Sequence, residues 1–267
     1  MKILRRITPF VLVIISLLVV SCSDSAMGPD GDNGNSDNGD SESYSHTRNP
    51  GTSANDFLAD SNYTELTVEI DFMEGYDPNE EALASLKTFL EERLNKTSVT
   101  ILEPTQISSG GQDHYSASEV RDLEDQHRDN FTEGEKLAAY MIIVDGKYEQ
   151  DNVLGIAYYN TSNAFFGVAY DEVSGGVGQP SRYKTEATSF RHEFGHLFGL
   201  VGIPNSGTEM QENHKDPDPD HGNHCDDDTC LMYYAMESTD VFGSFFGGEI
   251  PSLDQNCIDD LQANGGK

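Results

Sequence analysis

The sequence predicts an α/β (α+β) domain: a twisted, mostly parallel sheet with an antiparallel edge strand, then a long helix and a small irregular C-terminal subdomain. Three observations carry this. Strand-like and helix-like runs alternate from residue 65 onward. Ala138–Val144 is apolar almost without interruption, the pattern of a strand covered on both faces. Val153–Tyr159 and Ala164–Tyr170 are strand-like runs joined by Asn160-Thr161-Ser162-Asn163, a length that closes an antiparallel hairpin.

Before the domain stand two segments of different composition. Lys2, Arg5 and Arg6 precede an apolar run from Ile7 to Val20, the charged and hydrophobic regions of an export signal and too short for a comfortable membrane span. The run ends in Val19-Val20-Ser21-Cys22, which resembles a bacterial lipobox, so residues 1–21 are expected to be removed and Cys22 to carry a lipid anchor. Residues 22–54 are rich in Ser, Gly, Asn and Asp and read as a flexible acidic leash spanning roughly 30 Å. The remaining stretch, 55–267, is long enough for one domain with a substantial core. The expected location is the bacterial envelope, at the outer membrane or cell surface.

Within the domain, Glu65–Phe72 alternates as a half-buried strand does. Pro78–Asn95 follows with Leu83, Leu86, Leu90 and Leu94 at helical spacing. Val99–Leu102 reads as a second strand, Ser118–Arg128 as a polar helix and Ala138–Val144 as the central strand. Gly175–Pro180 breaks the pattern before a helix that starts near Thr185.

That helix carries His192-Glu193-Phe194-Gly195-His196. Residues four apart lie one turn above each other, so His192 and His196 can aim two imidazoles at one metal ion with Glu193 beside it as a base. Phe190, Phe194, Leu197 and Val201 form a stripe on the opposite side, which lets the helix bury one face and present the metal site on the other. Gly199 is placed to end the helix, because glycine takes a left-handed conformation at little cost. The bland alternative is an exposed histidine pair beside a solvated carboxylate. A hydrolytic zinc site keeps three protein ligands, and the downstream donors are His214, His221 and His224.

The formal charge of −31, with 16 Lys+Arg against 47 Asp+Glu, argues against nucleic acid and anionic lipid surfaces as partners. The acidity fits a chain soluble outside the cell, and no calcium-loop pattern accompanies it.

His192, Glu193, His196, Gly199 and Met232 resemble the HExxHxxGxxH motif and methionine turn of the metzincin metallopeptidases. His224-Cys225 followed by Cys230 and Met232 is most similar to the archaemetzincin branch, and the whole chain resembles lipoprotein metalloproteases of Bacteroidetes-type bacteria. The resemblance implies a zinc-dependent endopeptidase or aminopeptidase acting on peptide or protein substrates, with Glu193 as general base to activated water. It also implies that Met232 packs beneath the ligands and that Tyr234 stabilises an oxyanion. One departure matters: the motif's third histidine falls on Gly202. An inserted segment, 203–223, follows, and matching the residue before the first cysteine carries the third ligand to His224, with His214 and His221 as alternatives. The spare histidines are solvated, or join Asp216, Asp218 or Asp220 in a second metal site.

Archaemetzincins complete a second zinc site with two cysteines after the methionine, where this chain has only Cys257. In an exported protein Cys225 and Cys230 are expected to close a small disulfide loop; a Cys₃ zinc site completed by Asp254 or a histidine is the competing arrangement. One hairpin strand is placed to hold an extended substrate by its backbone, or is an ordinary hairpin. The alternative function is a non-catalytic zinc-binding or partner-binding surface lipoprotein with a degenerate peptidase fold.

Overall fold

The computed structural model describes residues 44–150, 152–239 and 249–267. The expected signal, Cys22 and most of the leash lie outside these residues. No helix among the described residues is long and apolar enough to cross a membrane.

The sheet is mixed and mostly parallel, in the order β2-β1-β5-β8-β7. Strand β1 (Glu65–Met73) pairs in parallel with β2 (Ser98–Ile101), with the short β3 (Thr105–Ile107) and with the central β5 (Lys136–Val144). Strand β8 (Ser162–Phe166) continues the parallel order beside β5, and β7 (Gly155–Tyr159) closes it as an antiparallel edge. The expected fold class is therefore the observed one. The alternation of β1 was read as half-buried, yet all of it after Glu65 is buried. Its polar members are absorbed by hydrogen bonds: Tyr140 Oη donates to Asp71 at 2.8 Å, and Glu69 accepts the backbone N–H groups of Asp129 and Asn130 at 2.7 and 2.6 Å. Buried polar groups tolerated in this way leave no mark on hydrophobic periodicity.

Two further strands, β4 (His114–Tyr115) and β6 (Lys147–Tyr148), form a separate two-stranded ladder. The helices lie where the apolar spacing places them. Helix α2 (Glu80–Arg93) is capped by Asn79, whose side chain accepts from Ala82 N at 3.1 Å. Helix α3 (Ala117–His127) opens with a reciprocal capping box between Ser116 and Glu119. The long helix α5 (Arg182–Leu197) starts slightly before the expected Thr185, because Ser181 caps it by accepting from Lys184 N. Its stripe is buried as expected, with Phe190, Phe194, Leu197 and Val201 all inaccessible to solvent. Phe194 and Phe198 meet Phe57 of α1 (Ala54–Leu58), and Phe89 of α2 stacks on Phe198.

Three expectations change. The hairpin turn is tighter than Asn160–Asn163, and the run from Ala164 to Tyr170 leaves the strand after Phe166 to form α4 (Gly167–Val173). Ala169, Tyr170 and Val173 bury at helical spacing, so a short apolar run supported either period. At Gly167 a Cβ would stand 2.1 Å from Cδ1 of Tyr76, and only glycine admits that approach. The packed unit also reaches back beyond residue 55: Arg48 N donates to Asn160 Oδ1 at 3.0 Å, and Asn160 Nδ2 donates to Ser53 Oγ at 2.7 Å. These contacts are polar, which is why composition placed residues 44–54 with the leash. Finally, the C-terminal subdomain contains a helix, α6 (Gln255–Ala263), capped by Asp254.

Candidate metal centre

Helix α5 places His192, Glu193 and His196 on its face towards β7, where all three are buried. Gly199 turns the chain away with φ +87°, and the inserted segment loops out and returns, held by Val201 N to Asn223 O at 3.1 Å. The next residue, His224, completes the triangle. Ring centroids of His192, His196 and His224 stand 4.9, 5.1 and 5.0 Å apart. The insertion thus restores the third histidine that Gly202 cannot supply.

The outer nitrogens set the tautomer of the neutral rings. His192 Nδ1 lies 2.7 Å from Leu231 O, His196 Nδ1 lies 2.8 Å from Leu200 O, and His224 Nδ1 meets the carbonyl of His221. Carbonyls only accept, so each Nδ1 is the protonated nitrogen and each Nε2 turns a lone pair inward. His192 Nε2 and His224 Nε2 are 3.1 Å apart with no proton between them in neutral rings. Lone pairs converging in this way suit a shared cation, and carbonyl-anchored imidazoles are the usual outer support of a metal ligand. Burial holds His196 down at about 3, with the neighbouring rings adding to the effect, so it stays neutral and able to ligate. The residues present fit a zinc ion.

Glu193 has both carboxyl oxygens buried and short of strict hydrogen-bonding geometry, with the backbone N–H of Ala157 on β7 facing it as a donor. Burial, then the charge of Glu237, raises its pKa well above the ordinary carboxylate range. A carboxylate isolated in this way costs stability unless it serves chemistry. Gly155 on β7 touches it, since a Cβ there would stand 3.0 Å from Glu193 Cγ. A cleft of about 460 Å³ opens over Glu193, His196 and His224, walled by Ile156, Ile203 and Pro50.

Met232 is fully buried beneath α5, where a Cβ on Gly195 would come 2.3 Å from its Sδ. It packs against the helix between the two histidines. Tyr234 lies elsewhere: its ring stacks on His221 at 3.5 Å and lines a shallow hollow beside the cleft. His221 in turn is held by Asp216 at 2.8 Å, so these two join no second metal cluster among the described residues.

A second cluster does exist. His214, Cys225, Asp254 and Cys257 present donor atoms within 4.8 Å of one another. Cys225, Cys230 and Cys257 are all free and buried, so the disulfide expected between Cys225 and Cys230 is not formed. The thiols face a shared centre instead: Cys230 Sγ is 3.6 Å from Cys257 Sγ, and Cys225 Sγ is 3.4 Å from His214 Nδ1. His214 Nε2 donates to Asp260 at 2.9 Å, which leaves Nδ1 as the inward donor. Cys230 accepts from Met232 N and Asp254 N, each at 3.4 Å, and contacts from the two other thiols lead the causes that bring its pKa down to about 5.

Two residues escaped the sequence reading, Glu237 and Asp260. Glu237 faces the histidine triangle and groups with it as a donor; Asp260 orients His214. Each is one of 47 acidic residues and stands in no motif, so no local signal marked it.

A helix-borne histidine pair, a third histidine returning from the chain and a buried methionine thus meet at one place. No family model matches the chain, and no match is found among curated proteins. Among solved structures it is similar to archaemetzincin from Methanopyrus kandleri, at 16% identity over 76% of this chain and 96% of that one, with a TM-score of 0.49. It is also similar to metalloproteinase-II from Bacteroides fragilis, at 16% identity over 80% of this chain and 61% of that one, with a TM-score of 0.41.

Proposed function

We propose that the chain is a zinc-dependent metallopeptidase, held on a bacterial envelope membrane by a lipid on Cys22 and acting on peptide or protein substrates. The observation that carries this is the convergence of His192, His196 and His224 beside the buried carboxyl of Glu193. His192, His196 and His224 would hold the ion. Bound zinc supplies Lewis acidity, lowering the pKa of water and polarising a carbonyl.

The protein groups do the rest. Glu193 takes a proton from water on a carboxyl oxygen and passes it to the leaving nitrogen of the cleaved bond. Among the described residues strand β7 pairs only with β8, so its outer edge offers backbone donors and acceptors alongside the cleft to an extended peptide. Its Gly155 keeps the strand close to Glu193. Apolar walls at Ile156 and Ile203 exclude water from the site of proton transfer.

Cys225, Cys230, Cys257 and His214 form a second, structural zinc site in this reading. Asp254 caps α6 with Oδ1, accepting Cys257 N at 2.8 Å, and turns Oδ2 to Cys225 Sγ at 3.5 Å, so it competes with Cys230 for the fourth position, where the softer thiolate suits zinc better. A metal-capturing lipoprotein without activity is the rival function, and an isolated buried Glu193 has no use in it. Chelation separates the two. Peptide cleavage by the purified chain is expected to fall to background with a strong chelator and to return with zinc; zinc binding without turnover on a mixed peptide library contradicts the enzyme reading.

A further inference from the structure

Glu237 has no role in the chemistry above, yet it stands at the metal-facing edge of the histidines. Its Oε2 lies 3.6 Å from His192 Nε2 and its Oε1 lies 3.5 Å from His224 Nε2. In the neutral rings, which donate through Nδ1, both nitrogens turn lone pairs towards it. A carboxylate facing two lone pairs is repelled unless a proton or a metal ion lies between them.

The spacing says how close that cation is. Donors bound to one tetrahedral zinc at about 2.0–2.2 Å stand roughly 3.2–3.6 Å from each other. Glu237 meets the two histidines at those separations through different oxygens, Oε2 towards His192 and Oε1 towards His224, and all four residues place a donor atom within 4.8 Å of the rest. A carboxylate acting through an intervening water would sit farther out by about a hydrogen-bond length, roughly 2.7 Å.

The backbone holds Glu237 in this position from the wall opposite α5. Leu154 N donates to Glu237 O at 2.8 Å, Ser238 bridges to Val153, and Thr239 N donates to Asn152 O at 3.0 Å. The short turn Tyr234–Met236, with Ala235 and Met236 buried, anchors the other side. The side chain still keeps 28% of its surface exposed and lines the cleft, so it has room to swing aside.

We infer that Glu237 is a fourth protein ligand of the zinc, and that it closes the resting site until a substrate carbonyl or water displaces it. Three histidines alone leave the open position that catalysis needs; a fourth protein donor fills it. The chain then carries its own latch.

The inference rests on the proposed zinc site, so the experiment separates the two. The zinc-loaded full chain, Glu237→Ala and the isosteric Glu237→Gln are compared for acetohydroxamate affinity and for zinc affinity by chelator competition, with circular dichroism confirming the fold. His192→Ala serves as the control for the site itself. Both Glu237 variants are expected to bind acetohydroxamate at least about tenfold tighter, and to release one zinc about 10- to 100-fold more readily. Unchanged affinities for probe and metal overturn the latch, as does weaker hydroxamate binding, which would make Glu237 a partner of the bound ligand. Zinc content unaffected by His192→Ala overturns the histidine site instead.

Discussion

Replacing Glu193 by Gln is expected to leave zinc content unchanged and to reduce peptide cleavage by about 10²–10⁴-fold or more. The substitution keeps the shape of a side chain fully buried between α5 and β7, so packing and the histidine triangle survive. It removes only the ability to take and return a proton. Burial holds the carboxyl in its neutral form while no cation is near, and a divalent ion in the adjacent triangle restores the ionised base by Coulomb attraction. The loss should therefore appear in kcat with KM little altered. Equal cleavage by both versions, measured on the same peptide with matched zinc, means that Glu193 is not the base.

Replacing Cys257 by Ala is the second large expected effect, and it falls on stability. The expected result is one zinc fewer per chain and a loss of unfolding free energy on the order of 4 kcal/mol or more, the range in which loss of a structural metal sits. The cluster ties the His214 segment, the Cys225–Cys230 loop and α6 together, and Met232 packs beneath the active helix only two residues beyond Cys230. Removing the cluster should thus loosen the floor of the histidine site as well. Denaturant unfolding with metal analysis decides the matter. A change within about 1 kcal/mol, or a variant whose Cys225 and Cys230 prove to be disulfide-bonded, contradicts a second metal centre.

The parts of the molecule legible in the sequence are those whose physics is local. His192, Glu193 and His196 are fixed by helical spacing, and the stripe Phe190, Phe194, Leu197 fixes which face they occupy. The central strand showed because full burial leaves an unbroken apolar run. His224 is selected from three histidines only by its position before a cysteine; in the fold the insertion returns through Asn223 to the end of α5 and brings that residue beside the helix pair. What stayed hidden depends on distance along the chain. Asp260 meets His214 across 46 residues, and Glu237 meets His192 from a turn with no motif. The thiols misled for a related reason. Cys225 and Cys230 are close in sequence, which suggests a disulfide, but Cys257 and His214 come beside these thiols from separate elements. The strand-like run through Tyr170 misled because apolar residues over so short a stretch fit either period.

The most direct measurement is anomalous diffraction at the zinc edge from crystals of the purified chain. The expected result is a peak at about 2.0–2.1 Å from Nε2 of each of His192, His196 and His224. Rings turned away from one another, or no anomalous peak between them in zinc-supplied protein, would contradict the claim on which the enzyme, its base and its latch all rest.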